Sequence, residues 1–552
     1  MKFHLLALSS SLLLGAGLSA IQPGNFLLGW LLFSFLFLLS FYAIRSTQVD
    51  RYTGTQVHTP SPHFNPLTPN SYLLSPIQRI ILLAFLLRLA LGAALYLALP
   101  VAGYDNPQSQ AGYIFFDSYR RDAQAWDLAH SDAPIISAFN KNFYSDQYGG
   151  LLAFDALAYR YLSPDAHRPL LPVFFGALTA ALGLAFLWKA AARQWDEKIA
   201  FAAAWIYALY PDSILFGSAQ MREPFLMAFV AMVLWGFVAR SAKSSRSTPV
   251  GPDFALKLQS QETLESKSAF LWLTLGFAGM LMVSPAIALL MLIILAGWWW
   301  IQREHGRVSW IALAAAGLVF LAGLYLLAWG LERQQSFGSS PLGIIMDWSR
   351  AAIKWDAYQL QLTSGVVQKR FDELPVALHP LFVIVYGITQ PVLPAALTEP
   401  TVPLFRFLMT FRALGWYVLV PLLFYAPFAS FRTSRGAARR LWFWLTAITW
   451  LWIIVAALRG GADQWDNPRY RAILIALQAL VAGFAWVNRD RWLVRWLAVE
   501  VVFLAVFSQW YVSRYYAIIG RIPFGSMVTV ILVLSALIFV GGWWWDLRHK
   551  KR

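Results

Sequence analysis

Cysteine is absent from this 552-residue chain, which excludes disulfides, thiolate nucleophiles and thiolate metal sites. Charge is scarce: 13% of residues are Asp, Glu, Lys or Arg, against 59% apolar. No Gly-x-x-x-x-Gly-Lys sequence occurs, so the phosphate cradle of an energy-coupled pump is missing. Among eight histidines there is no His-x-x-x-His pair, the helical spacing of a zinc hydrolase. The net charge of +16 does not argue for a nucleic-acid partner. Its Lys and Arg lie in connections between apolar runs and at Arg548, Lys550, Lys551 and Arg552, with no folded basic domain.

Long apolar runs are what the chain has in abundance. A run of roughly 20 apolar residues crosses a bilayer core as a helix, and continuous rather than alternating apolarity excludes a barrel. Spans are predicted at 3–21, 25–44, 80–100, 169–190, 199–216, 224–240, 269–283, 286–301, 309–330, 413–431, 441–458, 472–488, 492–511 and 524–545. The fold class is therefore an all-α polytopic integral membrane protein of about 14 transmembrane helices. The first run has the apolar core and small residues of a signal peptide. A second follows after Gln22-Pro23-Gly24-Asn25, so the two are read as a retained hairpin. The apolar segment 378–398, broken by Pro380, Pro391 and Pro394, is expected to be re-entrant or to lie along the surface.

Placing the Arg-rich connections inside, including 432–440 with Arg432, Arg435, Arg439 and Arg440, fixes the orientation. The outer face then carries 101–168, the stretch around 211–223, the 331–377 loop and 459–471. The first of these is net acidic, with eight Asp against five Lys or Arg. It is too long for a simple connector. Within it Asp122, Trp126 and Ala129 share one helix face, which is expected to press against the membrane. A helix predicted over 147–162 carries Asp155 and Arg160, is too short to span, and is read as interfacial.

The order of elements resembles a known family. A span containing Arg88 leads into the outer loop with Asp122-Ala123-Gln124-Ala125-Trp126-Asp127-Leu128-Ala129. An interfacial helix follows, then Pro211-Asp212-Ser213, Met221-Arg222-Glu223-Pro224 and, late in the chain, Asn467-Pro468-Arg469-Tyr470-Arg471. This pattern is similar to the GT-C superfamily of membrane glycosyltransferases, in the bacterial branch related to protein mannosyltransferases and lipid A aminoarabinose transferases. It covers roughly 80–240 well and the C-terminal half less well. The chain departs from the family's loop motif in having Ala after Asp122 and Trp as the aromatic, and in offering a rival acid, Asp117.

The resemblance implies transfer of a sugar from a polyprenyl-phosphate-linked donor to a lipid, glycan or protein acceptor at the outer face of the cell membrane. A carboxylate, Asp122 or Asp117, would serve as general base, since an acceptor hydroxyl is a poor nucleophile until its proton is taken. Glu223, Arg222, Arg469, Tyr470 and Arg471 would contact the substrate, the guanidiniums suiting a bidentate grip on phosphate. The residues single out no cofactor, and a carboxylate-only site for a divalent cation stays open near Asp117 and Asp122. Each residue also has a plainer role: loop aspartates cap helices, Glu223 before Pro224 complements a helix dipole, and Arg88 inside a span suggests a structural pair. The Trp298–Trp300 and Trp543–Trp545 triplets fit an interfacial belt.

The expected division is a hairpin and loop over 1–79, a catalytic half over 80–240, a polar linker over 241–268 and a C-terminal membrane half over 269–552. A lipid or small-anion transporter is the rival from another class, favoured only by the proline-broken segment. An O-antigen-type polymerase or ligase is a nearer rival, disfavoured because the large loop comes early.

Overall fold

The computed structural model describes residues 2–47, 74–241, 252–302, 310–334, 365–461, 463–516 and 520–549, with 340, 343–344 and 346–347. Among them there are helices and connections but no strand. Eleven helices are long and apolar enough to cross a membrane, and two bent pairs raise the count to thirteen. Glu197–Leu209 with Pro211–Gly217 makes one such pair and Asp466–Ala472 with Ile475–Val487 the other. These are the predicted spans 199–216 and 472–488. The remaining predicted span, 269–283, corresponds to Lys267–Val283, which is apolar but shorter. Its helix begins earlier, at Pro252, so 252–268 extend the span as helix rather than forming a linker. Residues 242–251 lie outside the described residues.

The chain forms two compact units, one of residues 1–209, 213–295 and 307–348, the other of 210–212, 296–306 and 349–552. The division thus falls later than the 241–268 segment, because helix Pro252–Val283 packs along helix Glu223–Ser241. In the first unit, Lys2–Ala20 and Phe26–Ser46 form a helical hairpin whose second helix is capped by Asn25. Helix Glu223–Ser241 also lies against Leu170–Gln194, where a Cβ on Gly183 would come 2.7 Å from Ala228 Cα. Small residues at such crossings let membrane helices approach closely.

Arg88 explains the first bent span. Its buried guanidinium donates to the carbonyls of Tyr207 at 3.1 Å and Ala208 at 3.4 Å, and to Ser213 Oγ at 2.6 Å. A helix ending inside a membrane leaves carbonyls that water cannot reach, and a cation there satisfies them and the local dipole. The structural role expected of Arg88 is the one it plays here.

In the second unit, Pro403–Thr433, Gly436–Gly460, Arg491–Tyr515 and Phe524–His549 are the long helices. The proline-broken segment folds as two short helices, His379–Ile388 and Leu393–Thr398, neither long enough to span. Trp416 Nε1 and the Tyr417 hydroxyl donate to the carbonyls of Ile388 and Thr389, fixing the break.

Candidate active site

The acidic loop is folded onto the first unit by two helices, Phe116–His130 and Gly150–Leu162. In the first, Ser118, Arg121, Asp122, Ala125, Leu128 and Ala129 are buried, a single face at helical spacing. Asp122 and Ala129 do share that face. It turns inward against the second helix, however, not outward to the membrane.

The eight aspartates separate by environment. Asp146 accepts from the backbone N–H of Leu151 at 2.9 Å and Leu152 at 3.0 Å, at the start of the second helix. Asp165 pairs with Arg168 at 2.6 and 2.7 Å, and that guanidinium holds its carboxyl below the usual range. Asp105, Asp117, Asp127 and Asp132 are exposed, Asp117 in the first turn of its helix. Asp122 and Asp155 are buried.

Three donors converge on Asp122. The hydroxyls of Tyr113 and Tyr159 hydrogen-bond to its two oxygens, and His167 Nε2 lies 2.5 Å from Oδ2. Burial and the adjacent carboxylate push both tyrosine hydroxyls well above their ordinary range, so they stay protonated and donate. Asp122 is fully buried, whereas the His167 side chain is 33% exposed. Trp126 packs on His167 with ring centroids 4.9 Å apart and meets Tyr159 edge-on at 5.4 Å. Nδ1 of His167 has no hydrogen-bond partner among the described residues. A buried carboxylate thus holds one nitrogen of a partly exposed imidazole and leaves the other open.

Neighbouring contacts brace this arrangement. Arg168 donates to Ser163 Oγ at 2.7 Å and to the Asn25 carbonyl at 3.1 Å, tying the turn that bears His167 to the N-terminal hairpin. Arg160 donates to the carbonyls of Leu128, Ala129, Ser131 and Ala133, closing the C-terminal end of helix Phe116–His130. Ser118 Oγ and Arg121 Nη1 both donate to the Gln220 carbonyl, at 3.0 and 2.9 Å. Asp155, one turn before Tyr159, is fully buried with Oδ2 unbonded. Desolvation, then the Asp122 charge, push its carboxyl well above the usual range.

The other predicted residues sit as follows. Glu223 opens helix Glu223–Ser241 and is fully buried, 3.7 Å from the Nε of Arg222, which is 20% exposed. In the second unit, Arg469 lies 3.5 Å from Asp466. Tyr470 is half-buried, its carbonyl taken by Trp452. Arg471 is buried, 3.4 Å over the Trp416 ring, donating to the Gln390 carbonyl at 3.1 Å and lying 3.8 Å from Asp212. Arg412, which the sequence reading passed over, bonds Asp212 at 2.6 Å. Among the described residues no three His, Asp or Glu side chains converge as metal ligands. Asp117 and Asp122, five residues apart, point to different sides of their helix.

His167 and Asp155 escaped the sequence reading. In the sequence His167 has no second His at metal-ligand spacing to mark it, and Asp155 reads there as a charge barring a membrane span. The usable signal was Asp155 and Tyr159 at i, i+4 on the apolar face of a short helix.

No protein-family model matches the chain, and no curated protein matches it. Solved structures similar to it include the archaeal oligosaccharyltransferase AglB from Archaeoglobus fulgidus in complex with an inhibitory peptide and a dolichol-phosphate. That likeness has 13% identity and a TM-score of 0.35, over 82% of this chain and 54% of the other. The apo form of the Archaeoglobus fulgidus oligosaccharyltransferase gives 13% identity and a TM-score of 0.38, over 84% and 54%. The same enzyme tethered to an acceptor peptide gives 14% and 0.37, over 84% and 53%. The chain spans about half the length of these structures, and a likeness at this level assigns neither family nor activity.

Proposed function

We propose that the chain is a membrane glycosyltransferase that moves a sugar from a polyprenyl-phosphate-linked donor to an acceptor hydroxyl at the outer face of the cell membrane. The observation that carries this reading is the buried Asp122 bonded to the partly exposed His167 within the long acidic loop. His167 donates Nε2–H to Asp122, a tautomer that the carboxylate selects, and keeps an unshared Nδ1 lone pair on a partly exposed ring. The acceptor hydroxyl gives its proton to Nδ1 as its oxygen bonds the anomeric carbon. The bond from that carbon to the lipid phosphate breaks, and its electron pair leaves on the phosphate. Asp122 thereby supports the base instead of meeting the acceptor itself. Asp117, exposed five residues earlier, is the alternative carboxylate.

Arg222 with Glu223 in the first unit, and Arg469, Tyr470 and Arg471 in the second, are proposed substrate contacts. Arg222 is the most exposed of the arginines and best suited to meet an anionic phosphate. Purified protein offered radiolabelled polyprenyl-phosphate sugars should transfer label to an acceptor extract, and His167→Gln should slow transfer by roughly 10²–10⁴. Equal transfer from polyprenyl diphosphate sugars would change the donor class. No transfer from either, with accumulation of a lipid or anion across proteoliposomes, would replace the enzyme by a transporter.

A further inference from the structure

Away from the proposed active site, the second unit gathers three chain turns at the end of its helices that the charge pattern places inside. Helix Pro403–Thr433 ends there, helix Arg491–Tyr515 begins, and helix Phe524–His549 ends. The Tyr425 hydroxyl donates to the Asn488 carbonyl at 2.8 Å and joins the first two. Between them lies a cavity of about 420 Å³ lined by Arg432, Asp490, Arg491, Trp492, Asp546 and His549.

The two carboxylates in this cavity are already engaged. Asp490 accepts from the Trp492 N–H at 2.8 Å and pairs with Arg432. Asp546 pairs with Arg495 at 2.6 Å and with Arg491 at 3.5 Å. Three guanidiniums therefore face two carboxylates, and one positive charge is left over before His549 is counted. Arg491 keeps 75% of its side chain exposed and Arg432 46%, so their unused N–H groups are open to a ligand. Arg495 is nine-tenths buried, and its Nη1 has no hydrogen-bond partner among the described residues.

The apolar surroundings narrow the ligand. Trp543, Trp544, Trp545 and Leu547 are exposed on the last helix beside the cavity. Arg548 lies 3.5 Å over Trp544 and Arg495 4.4 Å over Trp492. Tryptophan at a helix end marks headgroup depth, and arginine laid over it places cations at that level.

We propose that this cavity binds the phosphodiester of an anionic membrane lipid, with the acyl chains lying along the exposed face of helix Phe524–His549. A phosphodiester carries the single negative charge the cavity lacks and offers oxygens to the forks of Arg432 and Arg491. Basic pockets between membrane helices on the inner side suit such headgroups.

The test uses the full chain in phosphatidylcholine nanodiscs with rising phosphatidylglycerol at fixed ionic strength, read by melting through tryptophan fluorescence. A saturable upward shift is expected. Arg491→Gln should weaken the apparent affinity about tenfold, while Arg435→Gln, which removes a charge outside the cavity, should respond as the native chain does. Should Arg491→Gln fail to fold, Arg491→Lys keeps a charge beside Asp546 and should still weaken binding about threefold for want of the fork. Inorganic phosphate in pure phosphatidylcholine discs should give no shift. A phosphate shift equal to that of the lipid would make this a free-anion site and overturn the assignment. So would no response to phosphatidylglycerol, or equal loss in Arg435→Gln.

Discussion

Asp122→Asn is the substitution whose consequences the geometry specifies most fully. The native carboxylate receives three donors, two tyrosine hydroxyls and one imidazole N–H. Asparagine supplies one oxygen acceptor and an amide that is itself a donor. The Tyr113 and Tyr159 hydroxyls can rotate, so one of them can accept from the amide. With the amide oxygen in place of Oδ2 the imidazole keeps its hydrogen bond but loses the negative charge that stabilises its protonated form. With the amide NH2 there it must move its proton to Nδ1, which turns the open nitrogen from base to donor. Stability should fall by about 1–3 kcal/mol, the cost of one poorly satisfied buried polar group. Turnover should fall by roughly 10²–10⁴, the worth of a positioned general base. His167→Gln should cost turnover similarly and stability little, because that side chain is already a third exposed. Tyr113→Phe and Tyr159→Phe remove donors without touching the tautomer, and each should cost less than about tenfold. The assay is label transfer from a polyprenyl-phosphate sugar, with melting followed through tryptophan fluorescence. Near-normal turnover in both Asp122→Asn and His167→Gln, with donor binding intact, would refute the dyad and return attention to Asp117 and Glu223.

Three further outcomes follow from the same geometry. Desolvation and the Asp122 charge raise the Asp155 carboxyl well above its ordinary range in the folded chain, while its unfolded pKa lies near 3.9. Its contribution is therefore complete below that pH and is lost as pH rises toward the raised folded value, at about 1.4 kcal/mol per pH unit. Asp155→Asn should flatten melting temperature against pH between that pH and the raised folded value, and parallel curves would contradict it. Arg471→Lys should destabilise the fold by about 1–3 kcal/mol, through lost stacking and hydrogen bonding, beyond its effect on the donor contact. Arg222→Lys should instead raise the donor KM about tenfold with melting unchanged. The reverse pattern would exchange their roles. Finally, Ser131→Cys should react with an impermeant thiol reagent on intact cells and Ser434→Cys should not, in a chain with no native cysteine. The opposite labelling would invert the topology and remove the outer-face reaction.

The membrane helices were legible because roughly 20 apolar residues are a local signal that needs no partner. Even the two bent spans were located, though not their breaks. The break after Leu209 depends on Arg88, about 120 residues away in sequence. Asp122 stood out from its neighbours in the loop, but its direction did not. Whether its helix face turns inward is decided by Tyr159 and His167, 37 and 45 residues further on. Arg412 was invisible for a related reason. An arginine within an apolar span is costly unless paired, and its partner Asp212 lies 200 residues earlier.

The tether from Arg168 to the Asn25 carbonyl makes the tip of the N-terminal hairpin part of the scaffold under His167. Gly24 sits in a left-handed conformation at φ 94°, and a Cβ there would come 2.2 Å from Ala166 Cβ and 2.9 Å from an Arg168 nitrogen. The Gln22 side chain accepts from the Leu170 N–H at 3.0 Å on the other side of the same turn. An epitope or reporter inserted between residues 22 and 25 would therefore shift the imidazole. Surface accessibility alone would have marked that tip as a harmless place to put one.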